Sequence, residues 1–405
     1  MNRGFYIILA AQFLSALADN ALLFAAIALL TEISAPKWHV PLLQEFFIIS
    51  YILLAPFVGP YADSMPKGRV MMVTNFIKLG GCLAMLAGMP PLYAYAIVGL
   101  GAAAYSPAKY GILTEYLPPS QLVKANSWME GATVAAIVLG AVVGGLMISP
   151  QLTGHALHQW GLDAWLGVPQ FAIVVIVFLY LGAAWFNLHI PVVAIDHRPP
   201  RKNPVFLMYD FLHSFKLLWK DPLGQVSLAV TTLFWGVGAT LRLVVLAWAE
   251  FNLKFDQTHA TQLTAISAVG IAVGAIFAGK WVKLESSVKV LPAGIALGVT
   301  VIAMIFVTDW RIAAALLFLI GVLSGFFVVP LNALLQHRGH LLMGAGHSIA
   351  IQNFNENLGI LVLLGAYTFM VHHGVHIHWV IVSFGLFISL AMTVIWRRHR
   401  DDPVH

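Results

Sequence analysis

Residues 59–72 read GPYADSMPKGRVMM, a short charged turn between two long apolar segments. The turn follows the spacing G-x-x-x-D-x-x-x-K-G-R. The acid falls at the end of one predicted helix, and the bases fall directly after the turn. Charges placed in this way can hold two helices together in one conformational state and release them in another. We therefore interpret five residues as a gating loop: Gly59, Asp63, Lys67, Gly68 and Arg69.

The apolar segments on both sides of this loop belong to a series that covers most of the chain. Of its 405 residues, 60% are hydrophobic and 10% are charged, whereas about a quarter of the residues of a soluble domain are charged. A membrane-spanning helix needs about 20 mostly apolar residues. We predict an all-α membrane protein with twelve transmembrane helices, at 5–30, 42–62, 70–89, 91–113, 122–147, 168–190, 224–249, 260–281, 288–308, 311–335, 344–371 and 376–396.

The longest polar stretch divides these twelve segments into two sets of six. We predict an N-terminal half at 1–190, a cytoplasmic linker at 191–221 and a C-terminal half at 222–405. Apolar residues recur at helical spacing within the linker from Phe206 to Trp219, with Lys216 and Lys220 among them. This pattern is typical of an amphipathic helix that lies on the membrane surface.

The two halves also show a weak similarity in sequence. The fourth segment contains Pro107 with Lys109 two positions later, and the tenth contains Pro330 with Asn332 two positions later. A proline inside a helix removes a backbone hydrogen bond and kinks the helix. Kinks at matching positions in two halves indicate a transporter with internal repeats, whose substrate site lies where the repeats meet.

The distribution of Lys and Arg predicts the orientation in the membrane. With both termini in the cytoplasm, only Lys37, Lys254 and Arg311 fall in outer loops. Such a bias follows the positive-inside rule, and it explains the formal net charge of +5 without nucleic-acid binding. The cytoplasmic set is Arg3, Lys67, Arg69, Lys124, Arg198, Arg201, Lys202, Lys216, Lys220, Lys280, Lys283, Lys289, Arg338, Arg397, Arg398 and Arg400.

Ionisable residues inside the predicted spans need a reason, because a charge at bilayer depth costs several kcal/mol unless it faces protein or water. Four of them carry charges that sum to zero. Two signs in one apolar cavity fit a zwitterionic substrate, with phosphate on a base and ammonium on an acid. The alternative is that these residues pair with one another and lock the helix bundle. The predicted substrate-binding residues are Asp19, Lys109, Arg242 and Glu356.

Other polar residues in the spans have weaker interpretations. Lys78 and Glu130 lie nearer the cytoplasmic ends of their spans, where we predict a structural role. A secondary polar cavity is predicted from the amides near Asp19 and Glu356, which are Asn20, Asn332, Gln352, Asn353 and Asn355.

The chain lacks the sequence patterns of a cofactor or metal enzyme. It has one cysteine, Cys82, and no G-x-x-x-x-G-K-[ST] phosphate loop. His158 and Asp163 match an H-x-x-x-x-D pattern of acyltransferases, which we attribute to chance. The histidines at the outer end of the last two spans favour a wet interfacial loop over a metal or acid-sensing site; they are His372, His373, His376 and His378. We expect no enzyme activity, catalytic residue, cofactor or metal.

Seven segments resemble the bacterial lysophospholipid transporter branch of the major facilitator superfamily, and together they extend over nearly the whole chain. The divergent parts are the loop between the fifth and sixth spans, the linker and the His-rich end. The matching segments are AQFLSALADNALLFA (11–25), APFVGPYADSMPKGRVMM (55–72), VGLGAAAYSPAKYGILTEYL (98–117), LVKANSWMEGATVAAIVLG (122–140), TTLFWGVGATLRLVVLAW (231–248), GFFVVPLNALLQHRG (325–339) and GAGHSIAIQNFNENLG (344–359).

This resemblance implies the major facilitator fold, with two pseudo-symmetric six-helix halves. It implies a flippase in a bacterial inner membrane that moves lysophosphatidylethanolamine and related lysolipids from the outer to the inner leaflet without ATP. A cytoplasmic lysophospholipid acyltransferase or acyl-carrier-protein ligase would then re-acylate them. The headgroup-contacting charges of the family correspond to Asp19, Lys109, Arg242 and Glu356. The alternative function is a proton-coupled exporter of drugs or small polar solutes, with Asp19 or Glu356 as the proton site.

Overall fold

A computed structural model describes residues 2–36, 39–161, 163–193, 203–255 and 257–399. These residues form an all-helical protein. Several cations used to predict the orientation lie outside the described residues: Lys37, Arg198, Arg201, Lys202 and Arg400. The α-helices are α1 Arg3–Glu32, α2 His39–Asp63, α3 Lys67–Leu86, α4 Pro91–Tyr116, α5 Pro119–Met147, α6 His155–Gln159, α7 Val168–Leu188, α8 Pro204–Lys220, α9 Pro222–Leu253, α10 Gln257–Trp281, α11 Leu291–Ala303, α12 Trp310–Met343, α13 Ala345–His372 and α14 Ile377–His399.

The predicted fold class is confirmed in this helix set. Eleven segments of the described chain are long and apolar enough to cross a membrane. The 26-residue helix α4, which carries Lys109, is not among these eleven but coincides with the span predicted at 91–113. Of the other two, α6 has only five residues, and α8 is the amphipathic helix in the segment where the linker pattern predicts one.

Two spans differ from their predicted bounds. The span expected at 288–308 contains only 13 α-helical residues, with 3₁₀ turns at Leu284–Val290 and Met304–Phe306 on either side. Pro292 lies in the first turn of α11, where proline is tolerated because that N–H has no helical partner. Helix α12 continues beyond the predicted residue 335 to Met343, because the apolar run ends at Gln336 while good helix formers such as Arg338 and Leu341 follow it.

The described chain forms two compact units. The first comprises Met1–Glu115, Ala135–Phe211 and Ala345–Ala350, and the second comprises Tyr116–Val134, Leu212–Gly344 and Ile351–His405. The division therefore passes through α5, α8 and α13. The domain boundaries at residues 190 and 222 stay predictions.

Each unit has its own packed helices. In the first unit α7 packs against α1 and α3, around a core that includes Leu22, Ile176 and Tyr180. In the second unit α10 packs against α12. A Cβ atom added at Gly321 would lie 2.1 Å from the backbone oxygen of Ser267. Glycine is therefore required there, as is common where two helices in a membrane approach closely.

Candidate functional site

The carboxylate of Asp19 on α1 is held by two side chains of the first unit. Its Oδ2 atom accepts a hydrogen bond from Lys78 Nζ at 2.7 Å, and its Oδ1 atom accepts one from Tyr180 Oη at 2.6 Å. The Lys78 side chain is 1% exposed and that of Asp19 is 20% exposed. Lys78 is thus the ion-pair partner of a predicted substrate residue.

Lys78 has further contacts that fix its position. Its Nζ atom donates to Ser15 Oγ at 3.0 Å, and Ser15 Oγ donates to Asn75 Oδ1 at 2.8 Å. The same ammonium lies 4.6 Å from the ring centre of Tyr105. Because ammonium groups are stabilised by aromatic faces and by oxygen acceptors, the charge of Lys78 is satisfied inside the protein.

A cavity of about 60 Å³ opens beside this ion pair. Its lining includes Asp19, Lys78 and Tyr51 together with Lys109 on α4. The Lys109 ammonium lies 4.4 Å from the ring centre of Tyr110. Asn20 donates to Ala16 O of its own helix at 2.8 Å. The structure therefore brings Asp19 and Lys109 to one cavity of the first unit.

The second unit holds a cluster of amides around Glu356. Gln352 Nε2 donates to Asn332 Oδ1 at 2.9 Å and to Glu356 Oε1 at 2.7 Å. These two bonds fix the orientation of the Gln352 amide. Its Oε1 atom is buried and has no hydrogen-bond partner among the described residues. The cluster therefore presents a carboxylate and an unused acceptor, which together favour a cationic or hydrogen-bond-donating ligand.

The remaining predicted amides differ in their bonding. Asn355 is buried and donates to Ile351 O of the same helix at 2.9 Å. The backbone oxygen of Asn353 accepts from Asn357 Nδ2 at 2.8 Å. The bonds of Asn355 therefore stabilise α13 itself, whereas Asn332 and Gln352 connect α12 to α13.

Arg242 lies in the second half of α9 and is exposed. It has no ion pair with any residue in the described part of the chain. A bare guanidinium facing hydrocarbon would cost several kcal/mol, so a spanning helix places it toward water or a polar ligand. Arg242 is therefore a cation available to an anion.

The gating loop contacts the beginning of α13 within the first unit. Asp63 accepts from the backbone N–H groups of Gly346 at 2.7 Å and His347 at 3.1 Å. A carboxylate at this position satisfies N–H groups that have no helical partner and interacts favourably with the positive end of the helix dipole. A Cβ atom added at Gly59 would lie 3.0 Å from His347 Cα, so glycine permits this approach.

Three loop partners are not predicted by the sequence motif. Lys67 Nζ lies 2.8 Å from Asp63 Oδ1 and 2.9 Å from Glu115 Oε1. His347 Nδ1 lies 2.7 Å from Asp63 Oδ2, and its Nε2 lies 3.2 Å from Asp210 Oδ2 on α8. The sequence shows that Glu115, Asp210 and His347 lie close to the ends of predicted helices. It does not show which residues they pair with, because the pairing depends on tertiary structure.

Three features of the described chain are typical of a secondary transporter: eleven helices long and apolar enough to cross a membrane, prolines inside α4 and α12, and the charged loop between α2 and α3. A family model described as Major Facilitator Superfamily matches residues 8–363, and the chain belongs to this superfamily.

Curated relatives give a more specific placement. The chain is 44% identical over 402 residues to Lysophospholipid transporter LplT of Escherichia coli O1:K1 / APEC, which covers 98% of this chain and 97% of that protein. The protein of the same name from Escherichia coli O9:H4 (strain HS) matches with the same identity and coverage. The predicted family resemblance is therefore confirmed.

Solved structures of distant relatives share the fold. The transporter FucP aligns with a TM-score of 0.75 at 14% sequence identity, over 98% of this chain and 97% of that one. A bacterial homologue of the iron transporter ferroportin aligns with a TM-score of 0.70 at 17% identity, over 98% and 100% of the two chains. At such identities the likeness concerns the fold alone.

Proposed function

We propose that this chain transports lysophospholipids across a membrane by alternating access. The 44% identity to transporters of that name supports the substrate class. The structural observation that carries the proposal is the state of Arg242. It is an exposed cation on the spanning helix α9, and it has no ion pair in the described part of the chain. A phosphate-bearing substrate is the ligand that such a group recognises.

The second unit supplies groups for both parts of a zwitterionic headgroup. Arg242 binds the phosphate, and the ammonium of an ethanolamine headgroup binds Glu356 and Gln352 Oε1. Lys109 of the first unit stays a predicted substrate-binding residue. An unused buried acceptor supports the second assignment, because buried polar atoms normally have partners. Asp19 acts mainly through Lys78, since both of its oxygens already accept hydrogen bonds.

The proposed transport runs from the outer to the inner leaflet of a bacterial inner membrane, with both termini in the cytoplasm. The single acyl chain stays in lipid while the headgroup passes through the protein. Re-acylation is then performed by a separate cytoplasmic acyltransferase or acyl-carrier-protein ligase. In this proposal the chain is a transporter that performs no covalent chemistry itself.

Proteoliposomes with radiolabelled lysophosphatidylethanolamine in one leaflet test this function. We expect transfer to the other leaflet in the absence of ATP, measured by extraction of the outer leaflet with albumin. Transfer should fall strongly for Arg242→Gln and Glu356→Gln, while Arg311→Gln serves as a matched control because Arg311 is an exposed arginine at the start of α12.

Two outcomes contradict the proposal. Transfer at the rate of protein-free vesicles would remove lysophospholipids as the substrate class. If instead an imposed proton gradient drives export of polar solutes and leaves lysolipid transfer unchanged, the proton-coupled exporter is the correct function.

A further inference from the structure

A second and larger cavity lies in the first unit, apart from the two polar clusters. Its volume is about 270 Å³. The first turn of α3, the end of α4 and the end of α7 with the residues after it form its walls. The orientation predicted from Lys and Arg places these helix ends at the cytoplasmic surface.

Asn187 near the end of α7 is the most informative residue of this cavity. It lines the cavity and is only 3% exposed. Neither its Nδ2 donor nor its Oδ1 acceptor has a partner among the described residues. More than nine-tenths of buried polar groups in native proteins have a partner. A ligand that offers both an acceptor and a donor would satisfy this amide.

The first turn of α3 adds groups that attract an anion. Its N-cap residue, Pro66, provides no side-chain hydrogen bond to the helix. The N–H groups of Arg69 and Val70 donate to Pro66 O, so the N–H groups left for a ligand at this helix start are those of Lys67 and Gly68, where the helix dipole is positive. Arg69 in the same turn is exposed and has no ion pair in the described part of the chain. A helix start and an unused guanidinium thus share one cavity wall.

The other charges of the cavity wall are already paired. Lys67 Nζ contacts Ala62 O at 2.7 Å as well as the carboxylates of Asp63 and Glu115. Lys67 is thus shared between two carboxylates, and Arg69 is the cation of this wall that has no ion pair in the described part of the chain. Gly68 permits the geometry, because a Cβ atom there would lie 3.1 Å from Asn187 O.

Apolar residues at the cavity favour a lipid over a free anion. Met72, Leu188 and Val192 line it beside the polar groups. Leu188 is 65% exposed and Val192 is 71% exposed. Exposed apolar side chains next to basic groups at a helix end are typical of the membrane interface, where lipid headgroups and acyl chains meet.

We propose that this cavity binds the headgroup of a phosphate-bearing glycerolipid from the adjoining leaflet. Arg69 and the first turn of α3 bind the phosphate. Asn187 Nδ2 donates to a phosphate or ester oxygen, and its Oδ1 accepts from a headgroup or glycerol hydroxyl. This site shares Lys67, Gly68 and Arg69 with the gating loop but contains none of the proposed substrate-binding residues, so it goes beyond the proposed transport function and does not depend on it.

Native mass spectrometry of the full-length protein in detergent tests the site. The probes are phosphatidylglycerol, inorganic phosphate and diacylglycerol, which lacks the phosphate. We expect phosphatidylglycerol to bind, and Arg69→Gln to weaken it by about tenfold, because it removes a charge-assisted hydrogen bond. Arg398→Gln is the matched control, since Arg398 is an exposed arginine of α14 outside the cavity. Met72→Trp should fill the cavity and abolish binding.

A stability measurement keeps the test valid if one variant fails to fold. Asn187→Leu replaces the amide without partners by a side chain of similar size, so it should raise the unfolding temperature without lipid and reduce the further rise that phosphatidylglycerol causes. Equal binding to all variants would overturn the proposal. Binding of inorganic phosphate without phosphatidylglycerol would overturn its assignment to a lipid.

Discussion

The polar clusters around Asp19 and Glu356 stabilise a carboxylate inside spanning helices in different ways. Asp19 is bound by an ammonium and a phenol, from Lys78 and Tyr180. Glu356 accepts from a neutral amide, Gln352, which also binds Asn332. In the first cluster the protein supplies the opposite charge itself. The second cluster leaves one buried acceptor, Gln352 Oε1, without a partner in the described chain.

This difference separates two kinds of buried charge. A carboxylate with its own cation contributes to a stable helix arrangement, since breaking the pair leaves an uncompensated charge. A cluster in which a buried acceptor such as Gln352 Oε1 has no partner in the described chain can instead accept a hydrogen bond from a ligand. Variants of the two clusters should therefore differ in whether stability or transport changes more.

The largest effect is expected for Lys78→Met. Removal of the ammonium leaves the partly buried Asp19 carboxylate without its cation, and we expect the free energy of unfolding to fall by up to about 3 kcal/mol, the lower end of the range for buried pairs. Thermal unfolding of the purified protein measures this change.

The double variant Lys78→Met/Asp19→Asn is its control. Because it removes both charges, it should recover much of the lost stability. If the double variant is as unstable as the sum of the two single variants, the ion pair does not couple the two residues, and the comparison between the clusters fails.

The features that the sequence predicts correctly depend on residues that are close together in the chain. Twelve apolar runs, the amphipathic α8 and the loop from Gly59 to Arg69 are local features, and all are read within short windows. The pairing of Lys78 with Asp19 joins residues 59 positions apart, and that of His347 with Asp210 joins residues 137 positions apart. No helical spacing relates such residues, because the first contact exists only after α1 and α3 have packed with α7, and the second only when α8 lies against the beginning of α13.

The candidate site shows the same limit. Asp19, Lys109, Arg242 and Glu356 were selected because a charge at membrane depth is costly, which is a property of single residues. Which of them already has a cation partner depends on geometry. The sequence therefore predicts the charged residues but gives Asp19 and Glu356 equal roles, whereas their hydrogen bonds differ.

The second largest effect is expected for Arg242→Gln, which should lower transport without lowering stability. Arg242→Gln removes a charge-assisted hydrogen bond to substrate phosphate, worth about 1.5–3 kcal/mol, so transport at low substrate concentration should fall by about 10- to 100-fold. Its unfolding temperature should stay unchanged, because Arg242 is exposed and has no described ion pair to lose. Recovery of part of the activity in Arg242→Lys would support a charge contact. A loss of stability as large as that of Lys78→Met would contradict it.

A smaller change is expected for Gln352→Leu. This variant removes two hydrogen bonds, to Asn332 and Glu356, and should lower the free energy of unfolding by about 1–2 kcal/mol. The substrate apparent affinity should also fall, because the acceptor Oε1 is lost. Asn355→Leu is the matched control on α13, since Asn355 donates only to its own helix in the bonds described. Equal losses of affinity in both variants would argue against a specific role for Gln352.

The smallest effect is expected where an ion pair lies in water. His158 Nδ1 lies 2.7 Å from Asp163 Oδ2, and both side chains are exposed. The hydrogen bond from His158 holds the pKa of the Asp163 carboxyl below its ordinary value. Any stability from this pair is present at neutral pH and is lost as the pH falls through that lowered pKa. Solvent screening makes such pairs weak, so His158→Ala should leave both unfolding temperature and lysolipid transport unchanged. Acylation of lysolipid by the purified protein that His158→Ala abolishes would instead support the acyltransferase-like pattern that we attribute to chance, and the charged clusters would no longer be sufficient to explain the function.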